Sequence, residues 1–412
     1  MMRVWYSNQL ERLVDRLIEN LGTANCSPAT RLFTMPTIIV PNRNIETYLK
    51  YEIARGAGVA AGLNFKVPEE FLKSLLARED GEQARKLVSR HALRAFFIEV
   101  LSQDSESGQT LPDAVRAYID AGGDDGDGRD LRRFQLSSRL AQLARQYGDY
   151  RPDWLRAWSK GQITLEGDPM EATEQWQRDL WAQLIVLVRA QPGRGADWVL
   201  PFELFGSLEK TDWGPANQVH LFGFSYVWHG LPELIKYLLQ GQDVCIYSLA
   251  PFVEFQEDLP VLDLQSRNGQ PFVRRGAKVL KTTEAGEAHS PADLAIVAQW
   301  GRPGREYLGM LGQFPKTDLH PEFVKSDQKT VLGRLHREIL ARSVESSGPL
   351  EPDPSLAIMA CPGVRREAEV VANEIWRLIR DDDGRNPPAP DRLRFRDIAV
   401  LLADRANQSA YQ

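Results

Sequence analysis

Short continuous apolar runs alternate with amphipathic stretches at the two ends of this chain, and a long middle section lacks the runs. Residues 3–6 (RVWY) form the first run and predict a buried strand, and residues 10–21 repeat apolar positions at helical spacing. Residues 37–40 (TIIV) predict a second strand, broken by Pro41-Asn42-Arg43-Asn44. A helix with Ile45, Leu49 and Ile53 on one face follows, then a small-residue turn at 56–62 and a third apolar segment, Leu63-Asn64-Phe65. A strand–helix–strand rhythm of this kind implies a parallel sheet with helices on its faces. From 82 to 208 helical periods dominate, over 84–101, 111–121, 133–147 and 171–189, with an acidic, glycine-rich loop expected at 120–130. Strand patterns return at 219–222 (VHLF) and 244–249 (VCIYSL), separated by a helix over 230–239. A long loop (260–291) and helices at 292–300 and 305–311 come next, then a linker (343–354). Residues 355–412 read as strand (356–360), helix (365–380, with Ala368, Val371, Ile375 and Leu378 buried) and strand (397–403). The expected class is α/β: residues 1–81 and 209–342 form one sheet domain, 82–208 an all-helical insertion, and 355–412 the start of a second α/β domain. Because the pattern stops just after a strand, the chain is expected to be part of a longer protein.

The first strand-to-helix turn is where an ATP-driven motor carries a glycine-rich loop ending in Lys-Ser/Thr, whose amides and lysine hold the phosphates. Here the turn is Ser7-Asn8-Gln9, with neither glycine nor lysine. The strand at 219–222 leads into Gly223-Phe224-Ser225-Tyr226, where a motor needs carboxylates to hold magnesium. Gly206-Ser-Leu-Glu-Lys210-Thr211 lacks the glycine before the lysine and fails the pattern. The turn at Ser7, Asn8 and Gln9 is therefore read as a degenerate nucleotide site, and no cofactor is expected on this chain.

A net charge of −6 argues against wholesale coating of nucleic acid but leaves room for a local basic groove. Cys26, Cys245 and Cys361 are far apart and make no metal-binding or disulfide pattern, which fits a reducing cytoplasm. The N-terminus has no apolar signal region, and no run is long enough to span a membrane.

Within that acidic chain, residues 131–160 carry seven basic side chains (Arg132, Arg133, Arg139, Arg145, Arg151, Arg156 and Lys160) against Asp149 and Asp153. At 100° per residue Leu136, Leu140, Leu143 and Tyr147 share one helix face, and Gln135, Arg139, Gln142 and Gln146 another. Gln and Arg can contact base edges, and Arg pairs with phosphate. Tyr150, Trp154 and Trp158 interleave with the charges as a base-stacking groove requires, although two tryptophans at i,i+4 are more often core anchors. Asn42, Arg43 and Thr47 follow the second strand, where Arg43 can bind phosphate or simply face solvent in a turn. Val67-Pro68 and Phe71 serve packing, and His220 and His229 have no second ligand nearby and read as structural.

Several of these stretches resemble one family, the gamma subunit of exodeoxyribonuclease V (the RecC family). They are RVWYSNQLERL, IIVPNRNIETYL, GVAAGLNFKVPEEF, WGRPGREYL, REAEVVANEIWRLI and DIAVLLAD, with FQLSSRLAQLARQYGDYRPDWL (134–155) the most specific. The resemblance runs over the whole chain, as the N-terminal portion of a longer subunit. It implies an inactivated superfamily 1 helicase fold and a non-catalytic, DNA-guiding role in recombinational double-strand break repair. Such a subunit holds the helicase–nuclease beta subunit and the helicase alpha subunit, helps split duplex ends and scans the 3′ strand for a recombination hotspot. ATP and Mg2+ are then expected on the partner subunits. It further implies DNA contacts at Asn42, Arg43, Thr47, Gln135, Arg139, Gln142, Leu143, Arg145, Gln146 and Arg151. Gln142 and Arg145 stand where acidic residues are expected and Arg43 where a small polar residue is, whereas Leu143, Gln146 and Arg151 fit. A stand-alone ATP-driven helicase and a protein scaffold without DNA contact are the alternatives, the first opposed by the missing phosphate loop.

Overall fold

Six parallel strands form one sheet among the described residues. They are β1 (Met2–Ser7), β2 (Thr37–Ile39), β3 (Asn64–Lys66), β6 (Val219–Phe222), β7 (Val244–Leu249) and β8 (Thr317–Pro321), in the spatial order β3-β2-β6-β7-β1-β8. The computed structural model describes residues 1–22, 35–79, 85–102, 111–121, 126–190, 198–200, 202–204, 218–225, 230–252, 302–341, 348, 351–385, 387–388 and 392–411. The expected long loop, the helix at 292–300, the decoy at 206–211, His229, Cys26 and most of the linker lie outside the described residues. β1 lies between β7 and β8, with Val4 opposite Ile246 on one side and Leu319 on the other.

The apolar runs are continuous because both faces of this sheet are covered, so alternate residues enter different cores. Val4, Ile39, Leu221 and Ile246 pack against α3 (Pro68–Glu79), α9 (Gly230–Leu238) and α10 (Arg302–Gly312). Trp5, Ile38, Val40, Phe222 and Tyr247 point the other way, onto α1 (Leu10–Gly22) and α2 (Arg43–Ala57). Helix α2 starts where the sequence breaks the run: the Asn42 side chain accepts hydrogen bonds from the backbone N–H of Asn44 (3.0 Å) and Ile45 (3.1 Å), capping the helix.

Helices dominate the insertion, with a separate core of their own. They are α4 (Arg90–Ser102), α5 (Asp113–Asp120), α6 (Gly126–Tyr150), α7 (Pro152–Trp158) and α8 (Glu171–Arg189). Three local expectations are corrected here. The helix expected from 84 is preceded by a two-residue strand, β4 (Lys86–Leu87), paired with β5 (Trp198–Val199). Ser89 then caps α4, its Oγ accepting from Ala92 N at 3.2 Å, so helix cannot extend back through it. Residues 126–130 of the expected acidic loop are the first turn of α6, where Asp127 complements the helix dipole. Finally, the buried stripe of α6 is Ser137, Leu140, Ala141 and Ala144, rotated from the expected leucine face, and Leu143 is only half-buried. Small residues bring the axis of α6 close to α4, which a stripe of leucines would prevent. Ala141→Leu should therefore lower stability by about 1–3 kcal/mol through overpacking, read as a lower urea midpoint at unchanged slope. An unchanged midpoint would show that this contact is loose.

The chain divides into two compact units, residues 1–326 with 336–346, and residues 327–335 with 347–412. In the second unit α11 (Val364–Arg385) covers the expected helix, with Val371 and Ile375 half-buried and Leu378 exposed. The flanking strands are a further correction. Residues 356–360 and 398–403 join no sheet, and Ile358 and Leu401 are 93% and 94% exposed. An apolar β-prone run becomes a strand only where a neighbour completes its hydrogen-bond ladder. Asp353, expected in a passive linker, accepts from the backbone N–H of Val331 and Ser355, both at 2.8 Å.

Candidate nucleic-acid interface

At the carboxyl ends of β2, β3 and β6 the helical insertion leans over the sheet and leaves a cavity of about 500 Å³. Pro41, Asn42 and Arg43 follow β2, Val67 and Pro68 follow β3, and Phe224 follows β6. The opposite wall comes from the insertion: Ser89, Arg90, Ala144, Arg145, Gly148, Tyr150 and Arg156. Crevices outside the carboxyl ends of parallel strands are where α/β proteins bind ligands. Gly223, at φ +78°, turns the chain off β6 into this region, a backbone conformation that side-chain-bearing residues rarely adopt.

The structure brings Asn42, Arg43 and Arg145 to one cavity. Gln135, Arg139, Gln142, Leu143, Gln146, Arg151 and Thr47 do not line it. Gln135, Arg139 and Gln146 are exposed along α6, Gln142 is half-buried, and Arg139 Nη1 donates to Gln142 Oε1 at 3.3 Å. Thr47 donates its hydroxyl to the Arg43 carbonyl at 3.0 Å, an ordinary intrahelical bond.

The sequence signal missed the acids that hold two of the lining arginines, Arg43 and Arg145. Glu69 and Glu70 stand in the first turn of α3. Arg43 pairs with Glu70 and with Glu46, and Arg145 with Glu69 (3.4 Å) and Asp149 (3.8 Å). Hydrogen bonding from Lys73, helped by the charges of Lys73 and Arg145, holds the Glu69 carboxyl below its usual range despite burial. The motif VPEEF contains both acids, but nothing local says that they reach across to α2 and α6.

Of the aromatic residues, Trp158 is a core anchor, 3% exposed, with its indole N–H donating to Glu174 at 2.6 Å. Trp154 packs against Tyr147 and Trp158, and the Arg151 guanidinium lies 4.1 Å over its ring. That guanidinium occupies the ring face a base would need. Tyr150, 54% exposed and on the cavity wall, is the ring left open.

The turn after β1 is filled by the chain itself. Ser7 Oγ donates to the Glu322 carbonyl at 2.7 Å and accepts from Gln9 N at 3.0 Å. Asn8 donates to the Val324 carbonyl (2.8 Å) and accepts from Val324 N (2.9 Å). The polar groups of Ser7 and Asn8 are thus committed to the segment after β8. His220 is buried and its Nδ1 lies 3.1 Å from the Tyr247 hydroxyl, in line with a structural role. Among the described residues, no group of three His, Cys, Asp or Glu could hold a metal, and no helix is long and apolar enough to cross a membrane.

Residues 2–342 match the family model for the RecC N-terminal domain. The chain belongs to the RecC family. Among curated relatives, it is 23% identical to the RecBCD enzyme subunit RecC of Haemophilus influenzae over 98% of this chain. It is 26% identical to the Escherichia coli subunit over 98%, and 26% identical to that of Mycobacterium tuberculosis over 95%. The chain spans 38%, 37% and 34% of those three RecC proteins. The cavity and the filled turn both lie within the matched RecC domain.

Proposed function

We propose that this chain is the N-terminal part of a non-catalytic, DNA-guiding subunit of an ATP-dependent helicase–nuclease acting in recombinational double-strand break repair. Residues 1–81 and 209–342 then form an inactivated superfamily 1 helicase-like domain carrying a helical insertion (82–208), and residues 355–412 begin a second such domain. The observation that carries the reading is the convergence of Arg43 and Arg145, from the sheet and from the insertion, on one crevice at the carboxyl ends of the strands. The relatives are each named as RecBCD enzyme subunits. By that analogy the partners are the beta and alpha subunits, which supply ATP, Mg2+ and the nuclease, and the assembly is cytoplasmic. The filled turn at Ser7–Gln9 supports a subunit that leaves ATP hydrolysis to its partners.

The exposed face of α6 then scans the 3′ strand for a hotspot. In the assembled complex, Arg139→Ala and Arg151→Ala should weaken single-strand binding and flatten log Kd against log salt by roughly 0.7 per arginine. Gln142→Ala and Gln146→Ala should instead alter the hotspot response more than affinity, because glutamines carry base information rather than charge. Unchanged slopes and an unchanged hotspot response in all four variants would leave this face of α6 and Arg151 without a role in reading the strand.

A further inference from the structure

Two of the arginines that line the crevice, Arg43 and Arg145, are already paired, and their partners on α3 are neighbours in sequence. Arg43 reaches Glu70 from α2, and Arg145 reaches Glu69 from α6 at 3.4 Å. Glu69 also accepts from Lys73 Nζ at 2.8 Å, so it balances two cations. The pairs are not buried: the side chains of Arg43, Glu70, Arg145 and Glu69 are 57%, 43%, 47% and 35% exposed. Exposed pairs of this kind are weak and exchange readily. A phosphate group accepts the same charge-assisted, often bidentate hydrogen bonds from arginine as a carboxylate does. Glu46 is different, being 8% exposed and held within its own helix by Lys50 at 2.6 Å.

We infer that Glu69 and Glu70 are intramolecular competitors of a nucleic-acid backbone, occupying Arg43 and Arg145 until phosphates displace them. The inference rests on the DNA-guiding reading above and adds its regulation. Exchange of carboxylate for phosphate leaves the number of arginine ion pairs unchanged, so the net gain per contact is small. The crevice therefore holds a strand loosely enough for it to move through, and the two acids set how loosely.

The test is single-strand binding by the full chain assembled with its partner subunits, using a fluorescein-labelled oligonucleotide over a range of salt. Glu69→Gln and Glu70→Gln keep the shape and remove the charge. Each should tighten binding by about 2- to 5-fold at low salt and steepen the salt slope by up to about 0.7 per released arginine. Glu69→Gln should have the larger effect, since it also releases Lys73. Combining Glu69→Gln with Arg145→Ala should abolish the share of the tightening that runs through Arg145. If Arg43→Ala and Arg145→Ala weaken binding while neither glutamine variant tightens it, the competition is overturned and the DNA-guiding reading stands. If neither arginine nor glutamate variants change binding, that reading fails at this crevice and the competition fails with it.

Discussion

Glu174→Ala should be among the most destabilising single substitutions in the helical insertion. The side chain is 3% exposed, and its carboxylate accepts four hydrogen bonds. They come from Trp158 Nε1 (2.6 Å), Thr164 N and Oγ1 (both 2.7 Å) and Leu165 N (2.7 Å). Alanine would leave the indole and two backbone N–H groups without an acceptor, at about 1–3 kcal/mol for each that water cannot reach. Part of the site can rehydrate, so the expected loss is roughly 3 kcal/mol. Glu174→Gln, which keeps one acceptor oxygen, should cost about half as much. Burial pushes the Glu174 carboxyl up, but the hydrogen bonds from Trp158, Thr164 and Leu165 outweigh it and leave the group below its usual value. Its contribution is therefore complete above the unfolded pKa of about 4.5 and is lost as pH falls through the lower folded value. A urea titration on Ala, Gln and parent chains at neutral pH checks the order. Equal stabilities would mean that the loop at 159–165 does not depend on Glu174. The loop matters for the crevice because it follows α7, which with Pro152, Leu155 and Arg156 builds one wall.

The sequence makes legible what is local in the fold. The strands at 3–6, 37–40, 219–222 and 244–249 were found because a parallel sheet covered on both faces writes itself as an uninterrupted apolar run. β8 escaped because an edge strand of sequence TDLHP, half-exposed throughout and ending in proline, has no such run. Residues 356–360 and 398–403 have the run but no ladder, and composition does not report whether a neighbour is present. Gln135, Arg139 and Gln146 fall together on an exposed side of α6, as their spacing implies, because helix periodicity is local. The buried face was misplaced because leucine outranks alanine on any hydrophobic scale, whereas close helix packing selects the small residue. The pairing of Arg43 and Arg145 with Glu70 and Glu69 was beyond reach, since it exists only once α2, α3 and α6 meet.

Acid should destabilise the sheet domain through His220 well above the range in which carboxylates titrate. His220 lies on β6 between β2 and β7, its ring is fully buried and stacked on Tyr247, and its Nε2 has no hydrogen-bond partner among the described residues. Burial, with a smaller push from the Arg3 charge, takes its pKa down from 6.5 to about 3. The unfolded chain therefore binds a proton from about pH 6.5 downward while the folded chain does not. Each pH unit well inside that window costs about 1.4 kcal/mol, and because the slope is only half that at pH 6.5 itself, the loss between pH 6.5 and 4.5 is about 2 kcal/mol. Below about pH 3 the folded form protonates too and the slope vanishes. His220→Gln removes the titration, so its stability should fall less steeply than the parent's between pH 6.5 and 4.5, whatever the substitution costs at neutral pH. The window separates this effect from that of Glu174, whose slope begins only near pH 4.5. Stability measured by urea unfolding every half pH unit distinguishes the two. Parallel curves for parent and His220→Gln across that window would show that the ring is protonated or solvated in the folded chain, and that the packing of His220 against Tyr247 is looser than the structure has it.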